Sequence, residues 1–132
     1  MKIFDEAKEY AEKHLDTAAM QHAIQVVDIL KLLTTDEEVI IAGLLHDILE
    51  DTSVTPIQLE KRFGKRITAL VNEVTHEGAA DTHGYYFPRL HSKDAIIIKF
   101  ADRLSNLTRI SEWPKERQTH YLKHSRFWRQ KW

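Results

Sequence analysis

Apolar residues recur at helical spacing along most of the chain. From about Ile3 to His14, Phe4, Ala7, Tyr10 and Ala11 fall at i, i+3 and i+4 intervals with acidic residues between them, the pattern of an amphipathic helix. A second helix is predicted from about Thr17 to Leu33, with Met20, Ile24, Val27, Leu30 and Leu33 toward the core. Thr35 and Glu38 then form a capping-box pattern that starts a third helix. Its residues Val39, Ile40, Ile41, Ala42, Gly43, Leu44, Leu45, Ile48 and Leu49 leave it no polar face, so it belongs in the core. Thr55, Pro56 and Gln58 repeat the start signal with proline at the first helical position, and Gly64 ends that short helix. Another follows from about Lys65 to Thr75. His76 to Tyr86 contains Gly78 and Gly84 and reads as the one long loop. A helix from about Lys93 to Ile110 comes next, Trp113-Pro114 breaks the pattern, and a last helix spans about Lys115 to Trp128. No alternating strand pattern, repeat or low-complexity tract stands out, so the predicted fold is an all-α bundle of about six helices.

Composition narrows the function classes. At 132 residues the chain suits one domain over residues 1–132, with no room for a second catalytic module. A formal charge of −1 with 30% charged residues argues against a general nucleic-acid or membrane-surface protein. There are no cysteines, which excludes disulfides and thiolate metal sites. No early apolar run resembles a signal peptide, and no segment approaches the roughly 20 apolar residues that cross a bilayer. A cytoplasmic location is the expectation. Nothing in the pattern indicates an oligomeric state.

The apolar third helix ends in His46-Asp47-Ile48-Leu49-Glu50-Asp51-Thr52, which places an imidazole and three carboxylates against a core segment. Moving one unpaired carboxylate out of water costs several kcal/mol even after relaxation. A bound cation removes that difficulty. On a continuous helix Asp47 lies about 100° round from His46, and Glu50 and Asp51 return one turn later above them, so all four are expected to line one pocket. The bland alternative is a solvated helix end before a turn. Two further helices offer partners. His22 sits among Met20, Ala23, Ile24, Val26 and Val27, and Asp102 follows Ile96, Ile97, Ile98, Phe100 and Ala101. His22, His46, Asp47 and Asp102 would supply two imidazoles and two carboxylates, a donor set suited to a divalent transition ion with positions left open for water. Taken singly, His22 is an ordinary core or surface histidine, and Asp102 has Lys99 and Arg103 beside it as ion-pair partners.

Together with the stretch Ile98-Lys99-Phe100-Ala101-Asp102-Arg103-Leu104-Ser105-Asn106-Leu107, these residues resemble the HD-domain metal phosphohydrolases. HDILEDT in particular resembles the hydrolase domain of RelA/SpoT-type alarmone enzymes and the stand-alone small alarmone hydrolases. The likeness covers roughly residues 5 to 110 in order and spacing, leaving 111–132 outside it. It implies a manganese ion held by His22, His46, Asp47 and Asp102, catalytic roles for Glu50 and Asp51, and a substrate contact from Asn106. The implied reaction removes the 3′-pyrophosphate of guanosine tetra- or pentaphosphate, a small phosphorylated nucleotide. The chemistry agrees with it: a dication lowers the pKa of a coordinated water and neutralises phosphate charge, while one of the Glu50/Asp51 pair orients or deprotonates that water and their mutual repulsion splits their pKa values.

Departures from the family pattern bear on substrate. Alarmone hydrolases place a longer segment with a basic residue and a glycine-containing turn before the first metal histidine, and it helps hold the base. Here only Leu15 to Gln21 separate His14 from His22, with neither arginine nor glycine. Weak discrimination between guanine and adenine is therefore expected. Arg109 stands where many members carry a small residue, and Arg109 and Lys99 are further candidates for substrate phosphates, although lysines on helix edges are mostly solvent charges. His76 and His83 flank the glycine-rich loop and suggest a weaker second metal site. From Lys115 onward six Lys/Arg residues face the single acid Glu116, with Trp113, Tyr121, Phe127, Trp128 and Trp132 close by or interleaved. That segment reads as aromatics packed on the bundle with charges in water, or as a cover over an anionic substrate or a surface for a partner. Two competing functions stay open: another HD enzyme such as a nucleotidase or nucleotide pyrophosphatase, and a non-catalytic nucleotide- or partner-binding module.

Overall fold

The computed structural model describes residues 2–75, 90 and 92–124. Every regular element among them is helical: α1 (Lys2–His14), α2 (Thr17–Leu33), α3 (Glu37–Leu44), α4 (Ile48–Asp51), α5 (Pro56–Phe63), α6 (Lys65–Val74), α7 (Lys93–Arg109), a 3₁₀ turn at Ile110–Glu112, and α8 (Lys115–His124). The loop containing His76 and His83, and the aromatic residues Phe127, Trp128 and Trp132, lie outside the described residues. The all-α expectation holds. The described helices follow the segments read from the pattern, except that the third predicted helix is two.

That break is the main correction to the sequence reading. The start also moves by one residue: Asp36, not Thr35, caps α3 by accepting from the Glu38 N–H, while Thr34 Oγ1 accepts the N–H of Asp36. At the other end α3 stops at Leu44, and the chain passes through Leu45, His46 and Asp47 as a tight turn before α4. His46 N and Ile48 N bond back three residues, to Gly43 O and Leu45 O, so the ladder tightens there. The imidazole of His46 also takes the Gly43 carbonyl, at 2.6 Å. A side chain that competes for a ladder carbonyl favours a helix end. Thr52 then closes α4, donating to Ile48 O and accepting from Val54 N–H.

The start of α5 and its glycine stop are as read, and two further caps appear. Asp16 caps α2 through the Ala19 N–H, Thr55 and Gln58 form the reciprocal capping box of α5, and Ser92 caps α7. Gly64, at φ +91°, joins α5 to α6 in a conformation that disfavours a side chain.

α2 packs chiefly on α7 and α3, and α3 also meets α6 and α1. The buried face of α2 is His22, Ala23, Val26, Val27 and Leu30, not the expected set: Met20 and Ile24 are half-buried and Leu33 is exposed. The helix is turned so that the small Ala23 and the branched valines meet their neighbours, which brings His22 inward. Tyr10 and Phe63 meet edge to face at 5.5 Å and tie α1 to α5. Arg66 reaches Asp36, Glu38 and Asp94 across the surface, linking the starts of α3, α6 and α7; pairs this exposed contribute little each. On α8 no residue is buried among those whose side chains are described, and Trp113 is half-buried under the Arg117 guanidinium at 4.0 Å.

α3 and α2 approach so closely at Gly43 that an added Cβ would overlap Leu30 Cδ1, and Leu30 is fully buried. Gly43→Ala is therefore expected to destabilise the fold by about 1–3 kcal/mol, the range for an extra methyl forced into a packed core. Urea denaturation measures it, and an unchanged midpoint would mean that Leu30 has a free rotamer to adopt.

Candidate metal centre

Four ionisable side chains from three places in the chain meet between α2, α7 and the α3–α4 turn. His22, His46, Asp47 and Asp102 each offer one ligand atom, and all four atoms lie within 4.8 Å of one another. The α3–α4 break makes this possible. It aims His46 and Asp47 together, with His46 Nε2 3.1 Å from Asp47 Oδ2, where an unbroken helix would separate them. Asp102, from the buried face of α7, puts Oδ1 2.7 Å from His22 Nε2 and 3.2 Å from His46 Nε2. His22 Nε2 lies 3.7 Å from Asp47 Oδ2, and the two imidazoles meet edge to face at 5.2 Å.

The hydrogen bonds behind this cluster say what belongs inside it. Gly43 O can only accept, so His46 Nδ1 donates its proton to it and the neutral ring presents a bare Nε2. That nitrogen faces two carboxylate oxygens, from Asp47 and Asp102. Three acceptors without a donor repel one another, so a proton or a metal cation must lie among them. The titration behaviour says the same thing. Burial pulls His46 down, but the charges of Asp47 and Asp102 outweigh it and hold the ring well above its ordinary value. Burial pushes Asp102 and Asp47 up, yet the charges of Lys99 and His46 around Asp102, and of His46 beside Asp47, leave both carboxyls below the usual range. A site of two imidazole nitrogens and two ionised carboxylates is a fitting donor set for a divalent ion.

The other residues singled out in the sequence take different positions. Glu50 and Asp51 are exposed on α4, which corrects the expectation that all four charges of HDILEDT are buried: His46 is buried, Asp47 half-buried, and the last two project from the rim. Asp51 is still raised above the ordinary carboxylate value, by partial desolvation and then by the Asp47 charge. Lys99 is not a solvent charge. Its side chain is 12% exposed and its ammonium lies 3.1 Å from Asp102 Oδ2, leaving Oδ1 to the imidazoles. Burial pulls Lys99 down, but Asp102 and Asp47 outweigh it and keep its ammonium charged. Asn106 is half-buried on α7, one turn beyond Asp102. Arg109 lies farther along α7 and lines a cavity of about 330 Å³ with Gln21, Ile24, Gln25 and Asp28.

The short connection before His22 is Leu15-Asp16, and the first turns of α2 form a wall of a separate cavity of about 470 Å³. Its lining is Leu15, Met20 and Ile24, with Glu12, Asp16, Thr17 and Gln21. Two residues that the sequence reading did not single out stand directly behind the cluster. Ser105 Oγ is 2.8 Å from His22 Nδ1, and Gln25 accepts from Ser105. Their only sequence signal is spacing, three residues after Asp102 and His22 respectively, on the same helical faces.

Comparison with known proteins points the same way. A family model described as HD domain matches residues 3–83. The chain is 37% identical over 113 residues to a guanosine-3′,5′-bis(diphosphate) 3′-pyrophosphohydrolase of Borreliella burgdorferi, covering 77% of this chain and 17% of that protein. It is 34% identical over 121 residues to such an enzyme from Drosophila melanogaster, covering 81% of this chain and 66% of the relative. The chain thus spans between about a sixth and two thirds of the length of these relatives. Among solved structures, a metazoan ortholog of SpoT, reported to hydrolyse ppGpp with a role in starvation responses, superposes with a TM-score of 0.79 at 30% identity, over 96% of this chain and 83% of that one. With a family model spanning more than half its length and a matching helical structure around a two-histidine, two-aspartate cluster, this chain belongs to the HD-domain family.

Proposed function

We propose that this protein is a metal-dependent phosphohydrolase that removes the 3′-pyrophosphate of guanosine tetra- or pentaphosphate, as one domain acting in the cytoplasm on a free nucleotide. The reading is carried by the convergence of His22, His46, Asp47 and Asp102 on one point, in a chain whose relatives bear the name of that activity. A charge of −1 and the absence, among the described residues, of any helix long and apolar enough to cross a membrane support a small-molecule substrate over a polyanion or a lipid surface.

His22 and His46 would hold the ion through Nε2, and Asp47 and Asp102 through carboxylate oxygens; manganese is the proposed ion. When bound, such an ion supplies Lewis-acid polarisation of a phosphate oxygen and a water of lowered pKa. The residues around it supply the rest. Lys99 neutralises the second oxygen of Asp102 and holds that carboxylate in place. Asp51, raised by its surroundings, is a better proton acceptor than an ordinary carboxylate and is suited to take the proton of the attacking water. Glu50 orients that water from the same turn of α4. Asn106 and Arg109, along α7, would contact the substrate, and Lys99, beside Asp102, would add positive charge for its phosphates.

Base selection should be weak. The α1–α2 connection before His22 is only two residues long, it carries neither arginine nor glycine, and Asp16 is committed to capping α2, so the segment offers no basic group to grip a base, and strong discrimination needs polar groups that a wrong base leaves unpaired. The expected result is hydrolysis of guanosine tetraphosphate at the 3′ position with less than tenfold, or ~1.4 kcal/mol, preference over the adenosine counterpart. A manganese assay comparing 3′-pyrophosphorylated guanosine and adenosine nucleotides, 5′-mononucleotides and cyclic nucleotides tests it. Turnover of 5′-monophosphates or cyclic nucleotides alone would replace the alarmone reading with that of another HD nucleotidase. No turnover of any of them would favour a binding module.

A further inference from the structure

Behind His22 the hydrogen bonds form one chain with a single direction. Thr108 Oγ1 donates to the carbonyl of Ser105 at 2.7 Å, the usual back-bond of a helical threonine. Its only proton is then spent, so toward Gln25 it can only accept, and the Gln25 amide nitrogen faces it at 3.1 Å. This fixes the amide the other way round at its far end. Gln25 Oε1 accepts the Ser105 hydroxyl proton at 2.6 Å. Ser105 Oγ, which is fully buried, is left as an acceptor toward His22 Nδ1 at 2.8 Å. His22 must therefore carry its proton on Nδ1, and its Nε2 enters the cluster bare.

We infer that Gln25, Ser105 and Thr108 are a positioning relay that sets the tautomer of His22 for metal binding. The inference rests on the metal-centre reading above. His46 reaches the same tautomer by a simpler route, since the Gly43 carbonyl has no proton to give. His22 Nδ1 meets a hydroxyl instead. A hydroxyl alone does not choose, because it can donate to Nδ1 as readily as accept from it, and donation would move the imidazole proton to Nε2, where it blocks the ion. Gln25 removes the choice by taking the hydroxyl proton, and Thr108 keeps Gln25 from turning over.

The test pairs Mn²⁺ affinity, followed by electron paramagnetic resonance of free Mn²⁺, with the tautomer of His22, read from imidazole ¹⁵N shifts in the diamagnetic Zn²⁺-loaded protein. Gln25→Leu is expected to weaken Mn²⁺ binding about tenfold, within the 10- to 100-fold typical of groups that orient a ligand, and to lose or shift the hydrogen-bonded Nδ1–H signal. Ser105→Ala should do at least as much. Gln25→Glu keeps an acceptor for the hydroxyl and should restore both readings, which a role in packing alone would not predict. Wild-type affinity with an unchanged His22 signal in Gln25→Leu and Ser105→Ala would overturn the relay, as would a Gln25→Glu protein as defective as Gln25→Leu. His22→Ala separates the two levels: if it too binds Mn²⁺ normally, the metal-centre reading falls first, and if it alone loses the ion, only the relay is wrong. Should Gln25→Leu fail to fold, Ser105→Ala and Gln25→Glu decide by the same readings.

Discussion

Asp102→Ala is expected to bind Mn²⁺ more than ~100-fold more weakly than the parent protein and to lose its hydrolytic activity with the ion. Removing a group behind a ligand costs roughly 10- to 100-fold, and here a ligand itself is lost. Of the two carboxylates in the cluster, Asp102 is the one whose oxygen lies within hydrogen-bond distance of both imidazole nitrogens. The substitution acts a second time through Lys99. That ammonium loses the carboxylate it meets at 3.1 Å and stays close to the site as a positive charge, which disfavours a cation. Asp102→Asn, which keeps the shape and one oxygen but removes the charge, should fall between the two. Asp47→Ala leaves the direct Lys99–Asp102 contact in place and should be the milder loss. Titration of Mn²⁺ into the metal-free proteins orders the three, with denaturation midpoints confirming that each is folded. Parent-like affinity in both alanine variants would remove these residues from the metal centre.

The parts of this centre that were legible in the sequence are those where an ionisable residue interrupts an apolar run. His46-Asp47 after Val39–Leu45 and Asp102 after Ile96–Ala101 contradict their surroundings, and burying charge is costly enough to need a reason. His22 became legible only through them, since a lone histidine among valines has many uses. The α3–α4 break was not legible, because apolar periodicity continues straight across Leu45 to Leu49 while the turn is set by hydrogen bonding: the His46 ring competes for the Gly43 carbonyl, and no pattern of hydrophobic residues records that. The rotation of α2 escaped for a similar reason. Met20, Ile24 and Leu33 are as apolar as Val26, and which of them meets α7 depends on how closely Ala23 and Gly43 let the helices approach. Gln25, Ser105 and Thr108 are residue types common on any helix surface, and only the three-dimensional chain of donors and acceptors sets them apart.

Glu50→Gln and Asp51→Asn should each hold Mn²⁺ as the parent does yet lose at least ~100-fold in turnover, the lower scale for a positioned acid or base. Both residues are exposed on α4 and stand outside the four-residue cluster, so neither substitution removes a donor from it. Both variants keep the size and hydrogen-bonding shape of the original, and neither amide can take a proton near neutral pH. What the two changes remove is therefore proton transfer and the orientation of the attacking water. They should differ in pH dependence. A general base works when ionised, so activity falls as pH drops through its pKa, and partial desolvation together with the Asp47 charge puts that of Asp51 above the ordinary carboxylate range. The acid limb of the parent profile should accordingly lie higher than for a free aspartate, disappear in Asp51→Asn and persist in Glu50→Gln. Near-parent rates in both variants would reduce the pair to a polar helix end, loss of the ion would make them ligands, and an acid limb that vanishes only in Glu50→Gln would exchange their roles.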